Sequence, residues 1–277
     1  LENKVRILTA TSLFDGHDAS INIMRRLLQA RGAELIHLGH NRTAKEVAQA
    51  ALQEDVQAVA VSSYQGGHME YFRYLRELLD EKGGEEIKIY GGGGGVITPD
   101  EIKTLLEEKT AKIFSPEEGQ KLGLTGMIGK ILSEVDFIWQ ELGKMKKDQE
   151  SRLARQISLI ENKLLLPVKP PLKKAPVLGV TGTGGAGKSS LLDEVFLRFL
   201  NDFEDIRIGV LCIDPSKKKT GGALLGDRLR MTSCQDSRIF LRSLASRGSG
   251  QEISAKTKEL VGLMQAEGFD LIIVETR

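Results

Sequence analysis

Short apolar runs and longer amphipathic stretches take turns along the first 135 residues. Val5-Arg6-Ile7-Leu8-Thr9-Ala10 reads as a strand, and further strands fall at 34–38, 56–62, 86–90 and 111–114. A helix starts near Ala19 with Ile21, Met24, Leu27 and Leu28 on one face; others cover 44–53, 70–82, 99–107 and 118–133. These alternating β/α units predict an open, five-stranded parallel sheet with helices on both faces. Right-handed crossovers leave few strand orders, and the flavodoxin-like 2-1-3-4-5 is the common one. That order locates a binding edge before any chemistry is considered. Ligands lie at strand carboxyl ends where the order reverses, between strands one and three. Three loops meet there: 14–20, 62–68 and the glycine run 91–95.

From Glu134 the pattern changes. Val135, Ile138, Leu142 and Met145 recur at heptad-like spacing, a densely charged stretch comes next, and Leu153, Ile157, Ile160 and Leu164 resume the stripe. One or two linker helices are expected here, either packed on a neighbour or, as the charge favours, a solvated connector. Pro167, Pro170, Pro171 and Pro176, with Lys169, Lys173 and Lys174, form a stiff, extended lead into the second half of the chain. The expected division is therefore a first domain at 1–135, a linker at 136–175 and a second α/β domain at 176–277.

The second domain opens on a motif. Val177-Leu178-Gly179-Val180-Thr181 reads as a buried strand, and Leu191, Leu192, Val195, Phe196 and Phe199 lie at helical spacing. Between them Gly182-Thr183-Gly184-Gly185-Ala186-Gly187-Lys188-Ser189, with Ser190 next, fits G-x-x-x-x-G-K-[ST]. Strand, glycine loop and helix together aim backbone N–H groups at phosphates. The glycines admit φ > 0 and close approach of phosphate oxygens. Lys188 is expected on the β/γ-phosphates and the Ser189 hydroxyl on Mg²⁺. Three acids end or trail strands in this half, Asp214, Asp227 and Glu275. An acid at a strand end beside such a loop holds Mg²⁺ directly or through water, and each alone reads equally as a cap or turn residue.

Composition narrows the partners. Net charge is +1 over 277 residues, so no basic excess argues for nucleic acid. No apolar run approaches the ~18 residues of a membrane span and no signal peptide opens the chain, which makes the cytoplasm the expected location. Cys212 and Cys234 are too few for a disulfide framework, and Cys212, inside an apolar run, reads as core.

In the first domain Asp15-Gly16-His17 falls on the binding edge. His17 reads as a metal ligand with Asp15 accepting its other ring N–H, or as a solvated histidine beside a helix cap at Asp15 or Asp18. The residues leave both open. His68 heads a helix and reads as structural or ligand-facing, while His37 and His40 read as surface or packing residues.

Asp15-x-His17-x-x-Ser20, then Ser62-x-Tyr64, then Gly94-Gly95 resembles the cobalamin-binding domain of the acyl-CoA mutases, whose pattern is D-x-H-x-x-G, S-x-L, G-G. The resemblance covers about residues 5–133. It implies adenosylcobalamin as cofactor and His17 as lower axial ligand to cobalt, with Asp15 behind it. Ser62, Tyr64, Gly94 and Gly95 would then line the slot for the displaced dimethylbenzimidazole tail. Ser20 stands for the glycine, Tyr64 for the leucine, and Thr11 where relatives often carry a lysine; together they point away from methylmalonyl-CoA mutase proper.

The second half, through Asp214-Pro215-Ser216, Thr220-Gly221-Gly222, Gly226-Asp227, Arg230-Met231 and Val274-Glu275-Thr276, resembles the G-protein chaperones of cobalamin mutases. That implies GTP/GDP and Mg²⁺, with Asp214, Asp227 and Glu275 at the magnesium site or in switch loops. The order of the two parts resembles the N-terminal arrangement of fused acyl-CoA mutases. It implies a radical 1,2-rearrangement of an acyl-CoA, a catalytic barrel as the missing partner domain, an adenosyltransferase as cofactor donor and a homodimer. The alternative is a free-standing cobalamin carrier or sensor with a regulatory nucleotide domain. No N-K-x-D comes after Glu275, so guanine preference rests on the resemblance alone. The expectation is an incomplete GTPase domain with Leu271, Ile272, Ile273 and Val274 uncovered at a sheet edge, weak nucleotide binding, and lower stability than the first domain.

Overall fold

A computed structural model describes residues 1–17, 19–139, 148–164, 174–215, 220–246 and 250–276. The expectations for Asp18, for residues 140–147 and for the proline-rich lead at 165–173 lie outside the described residues.

The first half alternates strand and helix in the expected way. The strands are β1 (Arg6–Ser12), β2 (Glu34–Arg42), β3 (Ala58–Ser62), β4 (Lys88–Gly92) and β5 (Lys112–Ile113). The helices are α1 (Ala19–Ala30), α2 (Ala44–Gln53), α3 (His68–Glu81), α4 (Pro99–Glu107) and α5 (Pro116–Val135). Local chemistry fixes the helix starts. Thr43 and Glu46 form a capping box on α2, and Thr98 with Glu101 forms another on α4, where Pro99 supplies a preset φ. The strands are parallel and buried on both faces, so alternate residues of β1 enter opposite cores. Leu8 and Ala10 pack with α2 and α3, and Val5 and Ile7 pack with α1 and α5. Helix α5 breaks at Gly123 (φ 63°, ψ 170°), a backbone state glycine adopts cheaply. The residues after the break, Leu124, Met127 and Ile131, turn toward the binding edge.

The second half comprises α6 (Gln149–Glu161), β6 (Val177–Thr181), α7 (Lys188–Asp202), β7 (Ile208–Pro215), β8 (Ala223–Leu225), β9 (Ile239–Ser246), α8 (Gly250–Ala266) and β10 (Leu271–Thr276). Four of its strands form a parallel sheet in the order β6-β10-β7-β9.

Three expectations change here. The first sheet has six strands, not five, in the order β5-β4-β3-β1-β2-β8: the 2-1-3-4-5 core is extended by a strand from the second half. Gly222 lets the chain enter that position, since a Cβ there would stand 2.2 Å from the Gln29 carbonyl oxygen at the end of α1. Next, α6 is no solvated connector. Leu153, Ala154, Ile157 and Ile160 share a core with Leu211, Phe240, Leu260 and Met264, so the charged helix covers one face of the second sheet. Two of its charges are absorbed in pairs: Arg155 Nε donates to both Asp55 carboxylate oxygens at 3.0 Å, and Glu161 accepts from Arg242 at 2.7 Å. Finally, β10 is an inner strand. Ile272 and Ile273 are fully buried, and it is β6 that carries exposed Val177 and Leu178.

The seam between the halves is ionic and buried. The Glu54 carboxylate, just past α2, accepts from Arg6 at 2.6 Å, Arg228 at 2.8 Å, and the Ser243 N–H and hydroxyl at 3.0 and 2.9 Å. Gln53 bonds the Ile239 carbonyl and the Leu241 N–H. Side chains from α2 thereby satisfy the outer edge of β9, which would otherwise present unpaired backbone groups. β10 is thus covered, and the uncovered apolar edge of the second sheet falls on β6 instead.

Candidate functional site

Two sites lie at strand carboxyl ends, one on each sheet. The first is built around Asp15, which is completely buried. Its Oδ1 accepts from the His17 backbone N–H at 2.8 Å and faces His17 Nδ1 at 2.9 Å; its Oδ2 accepts from the Tyr64 N–H at 2.5 Å. A carboxylate held by two backbone N–H groups has no proton to give, so Nδ1 is the donor. In the neutral ring this leaves the lone pair on Nε2, on a side chain that remains 69% exposed. The same carboxylate braces the turn ahead of α1, whose first residue is Ala19, and caps no N–H of that helix among the described bonds.

The loop is fixed from β2 as well. Asn41 (φ 56°) donates its N–H to the Asp15 carbonyl at 3.3 Å and accepts from the Phe14 N–H at 2.8 Å. Phe14 itself is held at φ 65° with its ring exposed. Asn41 is not legible in the sequence as a site residue. Its only signal is an αL-tolerant residue type at a strand end near the switch point.

Beside this pair lies a cavity of about 300 Å³, lined mainly by apolar residues of α1, α5 and the strand ends, with Ser20, Ser62 and Tyr64 as polar points. Its shape depends on glycine. A Cβ on Gly93 would lie 1.9 Å from the Ser63 carbonyl oxygen, and one on Gly94 (φ 57°) would press the Tyr64 ring at 3.1 Å. Ser62 Oγ is buried and has no hydrogen-bond partner among the described residues. A buried hydroxyl left so is costly, and a ligand polar atom would satisfy it. Of the expected slot residues, Ser62, Tyr64 and Gly94 line the cavity and Gly95 does not; Gly91, Gly92 and Gly93 join them. Gly16 is not among the lining residues; it lies between Asp15 and His17 in the supporting turn. His37 bonds Thr9 Oγ1 at 2.9 Å, and His68 Nε2 lies 3.1 Å from Glu101 Oε2, so both are structural.

The second site is the glycine loop between β6 and α7. Gly185 (φ 83°) and Gly187 (φ 80°) take left-handed conformations, as the motif requires. Lys188 Nζ bends back onto the carbonyls of Gly182 at 2.8 Å and Thr183 at 3.1 Å, cradling the loop. Ser189 donates to Glu275 Oε1 at 3.0 Å, linking the loop to the end of β10. A cavity of about 240 Å³ is lined by Gly184 to Ser190, Ile213, Asp214, Arg230 and Glu275. Arg230 is a cavity residue that spacing does not single out. Asp227 opens a 3₁₀ turn (Asp227–Leu229) whose next residue, Arg228, is drawn into the seam; the Asp227 side chain lies outside the described residues.

Comparison with known proteins matches a different family model in each half of the chain. Residues 5–113 match the B12 binding domain model, and 143–277 match that of the methylmalonyl Co-A mutase-associated GTPase MeaB. The chain is similar to a B12 binding domain in its first half and to a MeaB GTPase in its second. It is 54% identical, over 99% of its length, to a fused isobutyryl-CoA mutase of Geobacillus kaustophilus, covering 27% of that protein. A fused isobutyryl-CoA mutase of Cupriavidus metallidurans is 53% identical over 99% of the chain, which covers 26% of it. The GTPase ArgK of Escherichia coli is 32% identical over 50% of the chain and 44% of its own length. The chain thus spans about a quarter of the fused relatives it matches. Among the described residues no helix is long and apolar enough to cross a membrane.

Proposed function

We propose that the first domain binds adenosylcobalamin base-off, with His17 Nε2 as lower axial ligand and Asp15 fixing the tautomer. The observation that carries this is the exposed His17 ring, held through Nδ1 by a fully buried carboxylate, beside a flat-walled slot. Ser62 offers its unpaired hydroxyl to the displaced base, and Tyr64 with glycines 91–94 supplies the walls. The bound cofactor supplies a cobalt–carbon bond whose homolysis starts radical chemistry. The protein's part is to hold the imidazole with its lone pair outward and to keep the tail in an apolar slot. His17→Ala should weaken binding by about 1 kcal/mol or more, and Asp15→Asn by about 10- to 100-fold, the usual effect of losing a ligand's orienting partner. The check is the electron paramagnetic resonance spectrum of the Co(II) complex. Splitting from a dimethylbenzimidazole nitrogen instead of an imidazole would overturn the assignment.

The second domain takes GTP and GDP with Mg²⁺. Lys188 is the charge for the β/γ-phosphates, Gly184 to Ser190 furnish backbone N–H donors, and Ser189, Asp214 and Glu275 are the oxygen set for the ion. Mg²⁺ keeps several waters and phosphate oxygens, so a hydroxyl and two acids suffice. Nucleotide turnover in this domain gates cofactor loading in the first.

The parent protein, on this reading, interconverts isobutyryl-CoA and n-butyryl-CoA on a catalytic barrel carried elsewhere in the polypeptide, acts as a homodimer and is supplied by an adenosyltransferase. All described strands of these 277 residues belong to two open sheets. The purified chain, given adenosylcobalamin, should therefore show no turnover of isobutyryl-CoA by product chromatography. Measurable n-butyryl-CoA would contradict both the reading and the division of labour.

A further inference from the structure

Tyr64 touches all three loops of the cobalamin edge. Its backbone N–H is fixed on Asp15 Oδ2, and its ring centre lies 5.7 Å from that of His17. Its hydroxyl is 3.0 Å from Ser20 Oγ at the start of α1. The ring also fills the space that a side chain on Gly94 would need. Ser20 and Tyr64 are the two positions that depart from D-x-H-x-x-G and S-x-L, and they are the two ends of one hydrogen bond. Glycine and leucine at these positions have no hydroxyl with which to make it.

Resting on the cobalamin reading, we propose that the Tyr64–Ser20 bond is a gate across the slot, which a corrinoid's nucleotide tail must open to enter. Tyr64 is then a positioning residue that makes tail insertion slower than docking of the corrin face. The geometry sets what can move. The Tyr64 backbone is clamped by Asp15, whose carboxylate is itself held by His17, so opening is a side-chain swing and not a loop movement. On the Gly94 side no side chain obstructs the ring. The Ser20 end is exposed, so water can replace the bond as the ring turns. The barrier attributable to the gate is then that of one neutral hydrogen bond, about threefold to tenfold in rate.

Stopped-flow absorbance on the full chain, mixing it with adenosylcobalamin and separately with tail-less adenosylcobinamide, tests this. Tyr64→Phe and Ser20→Ala should each raise the ratio of cobalamin to cobinamide association rates by about threefold to tenfold, and the double variant by no more than either alone. Equal acceleration of both corrinoids would mean that Tyr64 acts through the His17 ring, and the gate would be wrong. So would additive effects, or unchanged rates in a complex that is base-off. A wild-type complex that stays base-on would remove the cobalamin reading itself, and the gate with it.

Discussion

Glu54→Ala should lower the unfolding free energy of the chain by about 3–5 kcal/mol, the cost of removing one partner from a buried ionic cluster. Glu54 is fully buried, and its loss would take the paired acid from Arg228 and one of the acids from Arg6, both nearly as inaccessible. Around it Arg6 also pairs with Glu34 at 3.0 Å, and Arg242 with Glu161 at 2.7 Å, so three arginines and three glutamates balance in the seam. Burial alone would raise the Glu54 pKa; Arg228, Arg6 and Arg242 outweigh it and hold the carboxyl below its ordinary 4.5. A carboxyl depressed by folding contributes stability above its unfolded pKa and loses it as pH falls through the folded value. The wild-type chain should therefore weaken below about pH 4.5, and Glu54→Ala should show a shallower acid dependence. Urea denaturation read by Trp139 fluorescence checks both. Trp139 is buried under Arg155 at 3.8 Å, close to the seam. Since domains commonly carry only ~5–15 kcal/mol, a loss under about 1 kcal/mol would mean the cluster is not what joins the halves.

The seam is also where reading from sequence runs out. The β/α rhythm, the 2-1-3-4-5 core and the Asp15–His17 pair are local signals: a run of apolar residues, a cap, a spacing of two. The glycine loop is local too. Glu54 looks like any exposed acid closing a helix, and its partners lie 48, 174 and 189 residues away. Ala223-Leu224-Leu225 is too short an apolar run to announce a strand, and nothing near it says that its partner will be β2. The strongest unused signal in the sequence is Arg242. A cation inside the apolar run of β9 must find an acid when buried, and Glu161 of the supposed connector is that acid. Charge along α6 suggests solvation, yet Arg155 and Glu161 spend theirs on buried partners. In the slot, glycines 91–95 announce a flat wall, but the bond between Ser20 and Tyr64 joins residues 44 apart and has no local signature.

The second large effect is expected at the nucleotide loop. Lys188→Ala should reduce GDP and GTP affinity by about 100-fold or more, on the order of 3 kcal/mol, since it removes the fixed cation opposite the phosphates. The fold should tolerate the change. Lys188 is only partly buried, and the bonds it makes in this structure go to the carbonyls of Gly182 and Thr183, which water can reach. Stability should stay within about 1 kcal/mol of wild type in the same urea experiment. Affinity and folding thus separate, which they would not at Ser189. Ser189 is buried against Glu275, and Ser189→Ala would leave that carboxylate short of a donor as well as weakening Mg²⁺. Titration calorimetry with GDP, GTP and ATP in the presence of Mg²⁺ measures the loss and the base preference together. If Lys188→Ala kept its GDP affinity within about threefold, the phosphates would not be lying against this loop, and the nucleotide site would have to be sought elsewhere.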